Sequence, residues 1–270
     1  MRSSKHSVFA SIAAVALVWG VAPHASANDR HFGWSYESAT LPEGSRELEV
    51  WNTYRTGRSR FFTQMDHRIE FEIGLTNRLQ TAFYINFSGV AEDDALGKRT
   101  RSFDYRGVSN EWKFRVSDAV ADPIGFAIYG ELAFAPEVFA MEAKLIFDKR
   151  IGNLLLASNL IVEPEFERAV AGKESEVEFE LGATLGATYF VRPNLALGFE
   201  GRVETKMTDE AAAGAGAYVG PVIAWSTRDF WTTFTLQRQL PALRKEGSGA
   251  RYLQEGHELY QARVLFAFHL

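Results

Sequence analysis

The stretch that most constrains this chain is Tyr260 to Leu270. Tyr260, Ala262, Val264, Phe266, Phe268 and Leu270 alternate there with Gln261, Arg263, Leu265, Ala267 and His269, and side chains two apart share one face of an extended strand. In water, such a ladder of exposed aromatic and aliphatic groups would invite edge-to-edge association. Lipid removes that objection: a membrane-crossing strand needs about ten residues, apolar toward lipid and polar toward the interior. The pattern predicts the closing strand of a transmembrane β-barrel. Tyr260, Val264, Phe266, Phe268 and Leu270 would form its membrane-insertion face.

The opposite end of the sequence fits an exported protein. Arg2 and Lys5 precede an apolar run from Val8 to Ala22, and Ala25-Ser26-Ala27 has the form of a cleavage site. Residues 1–27 are therefore predicted to be a signal peptide, and 28–270 a single outer-membrane barrel domain. The chain has no cysteine, so the fold must be held without disulfides and without thiolate-bound metal. Beyond the signal, no apolar run approaches the roughly 18 residues of a membrane helix. A net charge of −5 without a basic block points away from nucleic acid as a partner.

Between the two ends, alternation recurs. Strands are predicted near Arg46–Thr56, Asp66–Ile73, Leu79–Ser88, Val108–Val116, Phe126–Phe134 and Phe139–Phe147. Others follow near Leu154–Glu163, Val177–Tyr189, Leu195–Glu204, Gly214–Ser226, Phe230–Gln239 and Tyr260–Leu270. Leu154–Glu163 is ambiguous, with leucines on both faces at its start, and Pro221 predicts a bulge in a glycine-rich strand. The total is about twelve, and bacterial single-chain barrels have even strand numbers. Short turns near residues 76, 120, 151, 192 and 228 alternate with longer polar connections, the asymmetry of periplasmic turns and outer loops. The bend at Ala135-Pro136-Glu137 is a short exception. Asn28–Ser45 reads as an ordered lead-in to the first strand.

Two stretches carry a resemblance. The closing strand resembles the C-terminal signal of Gram-negative outer-membrane barrels, which usually finishes on Phe where this chain has Leu270. Glu70-Phe71-Glu72-Ile73-Gly74-Leu75-Thr76-Asn77-Arg78-Leu79, with Leu41-Pro42-Glu43-Gly44 and Glu47 before it, resembles uncharacterised outer-membrane barrels of Gram-negative bacteria. These include putative transporters of the MetA-type phenol-degradation pathway. The resemblance implies location in the cell outer membrane, contact with its lipid bilayer, and recognition by the barrel-assembly machinery through the closing strand. It implies no substrate.

The inward faces are the candidate site. Besides Glu47 and Glu49, the predicted lumen-lining residues are Arg68, Glu70, Glu72, Glu111, Lys113, Arg115, Glu131, Glu142, Lys144, Glu178, Glu180, Glu200, Arg202, Glu204 and Arg263. A turn centred on residue 192 would put Glu180 opposite Glu204 with Arg202 diagonal to both, and Glu131 opposite Glu142. Three readings compete. A salt-bridged interior would make a closed structural or envelope-maintenance barrel. Uncompensated acids would make a passive pore or transporter for small solutes that prefers cations. Paired carboxylates could serve acid–base chemistry in a hydrolase. The histidines show no metal spacing, no G-x-S-x-G elbow occurs, and Ala212–Gly220 lacks the Lys and Ser of a phosphate loop. No metal, cofactor or catalytic residue is therefore expected, and the pore reading leads. Trp112, Tyr189, Trp225 and Phe230 suit an aromatic girdle at the membrane surface.

Overall fold

The computed structural model describes residues 29–168, 175–207, 212–243, 251–254 and 257–270; the predicted signal peptide lies outside them, as do parts of three predicted loops. Every element is a strand: β1 (Arg46–Thr56), β2 (Phe62–Thr76), β3 (Leu79–Asp93), β4 (Arg99–Ser117), β5 (Gly125–Phe134) and β6 (Val138–Ile151). The second half comprises β7 (Leu154–Glu167), β8 (Glu176–Arg192), β9 (Leu195–Met207), β10 (Ala212–Ser226), β11 (Phe230–Gln239) and β12 (Tyr260–His269). Each pairs antiparallel with its sequence neighbours, and β12 pairs with β1 to close the barrel. The all-β, twelve-stranded reading holds. The short connection around Pro136 is an outer turn between β5 and β6, and leaves the strand count intact.

The alternation sorts side chains between two environments. Ile69, Phe83, Ile85, Phe114, Phe179 and Phe199 stand on the outer surface, and Phe83 is 53% exposed. On β12 the outward residues include Tyr260, Phe266 and Phe268, while Gln261, Leu265 and Ala267 are buried inward. This is inverted relative to a soluble sheet and belongs to a barrel with lipid outside. Trp112, Tyr189 and Trp225 also face outward, and Trp225 meets Phe230 edge-on with ring centroids 5.2 Å apart.

Two local expectations are corrected. Pro221 makes no bulge: Val219 faces Arg238 and Val222 faces Thr235, the same register on both sides of it. Pro221 faces outward opposite Phe199, so its missing N–H costs a ladder bond without displacing the strand. The β8–β9 hairpin is also set differently. Its pairing places Glu180 opposite Lys206 and Gly182 opposite Glu204, with a one-residue irregularity beside the turn between Phe190 and Arg192. The turn centre therefore lies nearer Pro193-Asn194 than residue 192. In the β5–β6 hairpin Glu131 does face Glu142, and Tyr129 faces Lys144.

Asp29–Ser45 does more than lead into β1. It lies inside the barrel, where Phe32, Trp34, Tyr36 and Leu41 are buried. Phe32 packs among Leu155, Ala157, Phe190, Ala196, Val222 and Ala224, which explains why the start of β7 carries leucine on both faces. Tyr36 packs among Trp51, Tyr129, Ile146, Trp231, Leu265 and Ala267. Gly186 makes room for this filling: a Cβ there would sit 2.4 Å from the Phe32 ring.

The lipid-facing surface yields a direct test. Phe83 lies near the middle of the membrane-crossing part of β3, opposite Phe71 of β2. Phe83→Arg should make folding into a bilayer less favourable by about 2–4 kcal/mol, the cost of Arg near the midplane. Equilibrium refolding into lipid vesicles measures it, and a cost near zero would place Phe83 outside the hydrocarbon.

Candidate functional site

The interior is divided by the N-terminal segment. A buried loop must find partners for its backbone polar groups, and here the barrel wall supplies them from four sides. Glu200 of β9 accepts the N–H groups of Gly33, Trp34 and Ser35 at 2.7, 3.0 and 3.1 Å, and the Thr235 hydroxyl at 2.6 Å. Asn159 of β7 accepts the Tyr36 N–H at 2.6 Å and donates to its carbonyl at 2.9 Å. Asp148 of β6 accepts the Ser38 N–H at 3.0 Å. Gln80 of β3 accepts the Leu41 N–H at 2.9 Å. These four inward-facing polar residues are thus specific acceptors for the segment.

Above this floor, toward the loop end, lies a cavity of about 490 Å³. Trp34, Tyr36 and Trp51 contribute its aromatic base. Its charged lining carries both signs, with Lys144 among the acids of one arc and Asp66, Glu204 and Glu258 among the guanidinium groups of the other. Glu131, Glu142, Glu163 and Glu180 come from the consecutive strands β5 to β8, while Arg55, Arg68, Arg202 and Arg263 come from β1, β2, β9 and β12 on the other side of the closure. Most of these charges are paired: Arg55 with Asp66 at 2.9 Å, Arg68 with Glu131 at 3.6 Å, and Arg202 with Glu204 at 3.2 Å. Lys144 pairs with Glu142.

Three groups stand apart. Glu163 and Glu180 make no ion pair among the described residues. Among the described residues, Arg263 donates to the Thr53 hydroxyl at 2.9 Å and the Gly33 carbonyl at 3.0 Å and makes no ion pair. Its guanidinium also lies over Trp34, 4.5 Å from the ring centroid, a favourable cation–π placement.

Of the predicted lumen residues, Arg68, Glu131, Glu142, Lys144, Glu180, Arg202, Glu204 and Arg263 line this cavity. Glu70, Glu72, Glu111, Lys113 and Glu200 face inward but are buried among the packed residues of the interior. Arg115 sits at the short-turn rim, bonded to Asp118 at 3.2 Å and to the Asn77 carbonyl at 2.6 Å. Glu178 pairs with Lys206 at 3.1 Å toward the loop end. The expected excess of acids around Arg202 is therefore reduced by Lys206 and by His257, which lies 3.5 Å from Glu204. Trp34, Tyr36, Glu163 and His257 are among the cavity residues that alternation alone does not select. An aromatic run at spacing two before the first strand, Phe32-Trp34-Tyr36, was the available signal for the floor.

Glu200 is the single most connected anchor. Glu200→Ala would leave three buried backbone donors without their acceptor, and an orphaned buried donor costs about 1–3 kcal/mol. The barrel should still form, since its ladder is untouched, but residues 29–41 should become accessible to protease. Limited proteolysis of the folded protein followed by mass analysis reads this out; an uncut segment would show that the aromatic packing alone retains it.

Comparison with known proteins agrees with this architecture. The structure resembles the COG4313 outer membrane channel from Pseudomonas putida F1 with a TM-score of 0.62 at 13% identity, over 86% of this chain and 98% of that one. It resembles the NanC porin with a TM-score of 0.53 at 12% identity, over 83% and 100% of the two chains. The KdgM porin gives 0.50 at 9% identity, over 82% and 98%. At such identities the likeness is one of fold: an outer-membrane β-barrel, consistent with the lipid-facing surface and a Gram-negative outer-membrane location. No curated protein matches the sequence. The profile of a family of unknown function, DUF6662, matches residues 24–263 and lends no support to the MetA-type resemblance. The chain belongs to that family, DUF6662.

Proposed function

We propose that the barrel is a passive outer-membrane channel for small charged solutes, entered from the loop end and closed toward the periplasm by Asp29–Ser45. The observation that carries this reading is the cavity of about 490 Å³. A barrel needed only as a rigid strut has no use for a hydrated chamber lined by charges of both signs. With the unpaired Glu163 and Glu180 on one arc and Arg263 on the other, the chamber would orient a dipolar solute across the axis, since low-dielectric walls focus the field between them. The similar folds of the P. putida channel and the NanC and KdgM porins support the same class.

A closed structural barrel is the second reading, favoured by the hydrogen-bonded floor itself. No particular arrangement among the described residues favours a hydrolase. We also assign to β12, with outward Tyr260, Phe266, Phe268 and Leu270, recognition by the assembly machinery of the outer membrane.

Conductance across a planar bilayer separates the two leading readings. The mature chain should show small or intermittent conductance, and deletion of residues 29–41 should make it large and steady. Silence of both proteins would establish the structural barrel instead. Selectivity probes the lining. Replacing both Glu163 and Glu180 with Gln should move the reversal potential toward anions, whereas Arg263→Gln should move it toward cations. Both shifts should shrink at high salt, where the Debye length falls to about 3 Å at 1 M. Unchanged potentials in both variants would mean that solute does not pass this chamber.

A further inference from the structure

A second group of charges lies apart from the chamber. Glu47 and Glu49 of β1 stand directly opposite Glu72 and Glu70 of β2, and Glu111 of β4 reaches the same place across β3. Carboxylate oxygens of Glu47, Glu49 and Glu72 lie within 4.8 Å of one another, as do those of Glu70, Glu72 and Glu111. Like charges placed opposite each other on a sheet repel, and here the repulsion acts without water to screen it. Glu47 and Glu49 are 0% exposed, Glu70 and Glu111 1%.

The hydrogen bonds around the group are one-sided. Trp51 Nε1 donates to Glu49 Oε2 at 2.6 Å, the Tyr84 hydroxyl donates to Glu111 Oε2, and Gln80 Nε2 donates to Glu72 Oε2 at 3.2 Å. Glu47 accepts from Trp231 Nε1 at 3.1 Å and lies 2.7 Å from His269 Nδ1. Against this, Glu49 Oε1, Glu70 Oε2 and Glu111 Oε1 are buried and have no hydrogen-bond partner. Arg30 from the N-terminal segment brings a positive charge to Glu49, Glu70 and Glu111, but its Nε and Nη2 are themselves without a hydrogen-bond acceptor. Glu49 and Glu111 are each held on one oxygen by a neighbouring donor while the other oxygen has no partner, the way outer donors orient a ligating carboxylate.

We propose that Glu70, Glu72 and Glu111 bind a hard divalent cation of the Ca²⁺ class, with Glu47 and Glu49 at the margin, and that the ion braces β2 and β4 beneath the N-terminal segment. Ca²⁺ takes oxygen ligands at about 2.3–2.6 Å, so two ligands of one ion stand no more than about 5 Å apart. The observed spacing meets that limit. Carboxylates alone would select such an ion over softer metals that favour sulfur or imidazole. The site does not depend on whether the barrel conducts, so the bilayer experiments above and the following test fail separately.

The test uses the full mature barrel in detergent, stripped with EDTA and dialysed. Tb³⁺ is added and its emission excited through the indole of Trp51 and the ring of Tyr84. One saturable site, displaced by Ca²⁺, is expected, together with a Tm that rises by several degrees in Ca²⁺ over EDTA. The double variant Glu70→Gln, Glu111→Gln should lose the sensitised emission and the Ca²⁺-dependent shift while melting no lower than the ion-free wild type, because it has lost the repulsion too. Emission that persists in the variant would place Tb³⁺ elsewhere and overturn the assignment. So would a wild-type Tm that rises as pH falls but is the same in Ca²⁺, Mg²⁺ and EDTA, which would mean that shared protons neutralise the group. Should the double variant not fold, the wild-type comparison of Ca²⁺ with EDTA decides the question alone.

Discussion

The structure depends on closure. In lipid no water is available to backbone N–H and C=O groups, so an open sheet edge is not tolerated and the ladder must return on itself. The return is made by β12 on β1, from Glu47 opposite His269 to Thr56 opposite Tyr260. Once that pairing exists, the alternation on every other strand acquires a fixed meaning: one face to lipid, one to the interior. Phe266 and Phe268 then become surface residues, and Leu265 and Ala267 become core. The closing strand is therefore both the last rung of the ladder and the wall against which Tyr36 and Trp51 pack.

Closure creates a second problem, which the N-terminal segment solves. A twelve-stranded cylinder encloses more space than its own inward side chains fill, and that space must hold either water or protein. This chain uses protein at one end and leaves a chamber at the other. The filled half is built on the same rule as the wall, since the N–H groups of Gly33, Trp34, Ser35, Tyr36, Ser38 and Leu41 meet side-chain acceptors of the barrel: Glu200, Asn159, Asp148 or Gln80. Packing adds shape to this polar match, with Phe32 seated over Gly186 and Tyr36 edge-on to Tyr129 at 5.2 Å.

Much of this was legible in the chain because a period of two is unambiguous where one face is apolar. The strands, their number and the short-turn end followed from it. What alternation cannot carry is the partner of an inward residue. Glu200, Glu180 and Glu70 look alike along their strands, yet one caps a backbone loop, one lines a chamber, and one lies in a buried carboxylate group. Register was the other gap. A displacement of two residues in the β8–β9 hairpin leaves every side chain on its expected face, so the pattern reads identically while Glu180 exchanges Glu204 for Lys206 as its neighbour. The leucines at the start of β7 and the pair Leu265 and Ala267 were the visible irregularities. Both mark where the segment packs.

The division of the interior also sets what each half can do. Acids in the lower half are held against donors and against Arg30, so they cannot attract ions passing through water above the floor. Acids in the chamber face guanidinium groups across a gap, and among the described residues Glu163 and Glu180 are the chamber acids that lack an ion pair. Any selectivity must therefore come from the chamber's few unpaired charges rather than from the chain's overall acidity. Movement of solute past the floor requires Asp29–Ser45 to yield, and the contacts opposing that are numerous but individually modest, since a single intramolecular hydrogen bond contributes about 1 kcal/mol. A cation below the floor would act on the same balance from beneath, by fixing β2 and β4 on either side of Gln80 and by holding Glu49, to which Trp51 donates. Trp51 packs against Tyr36, and Gln80 holds Leu41, so the rigidity of the lower half and the resistance of the floor are one property of the barrel.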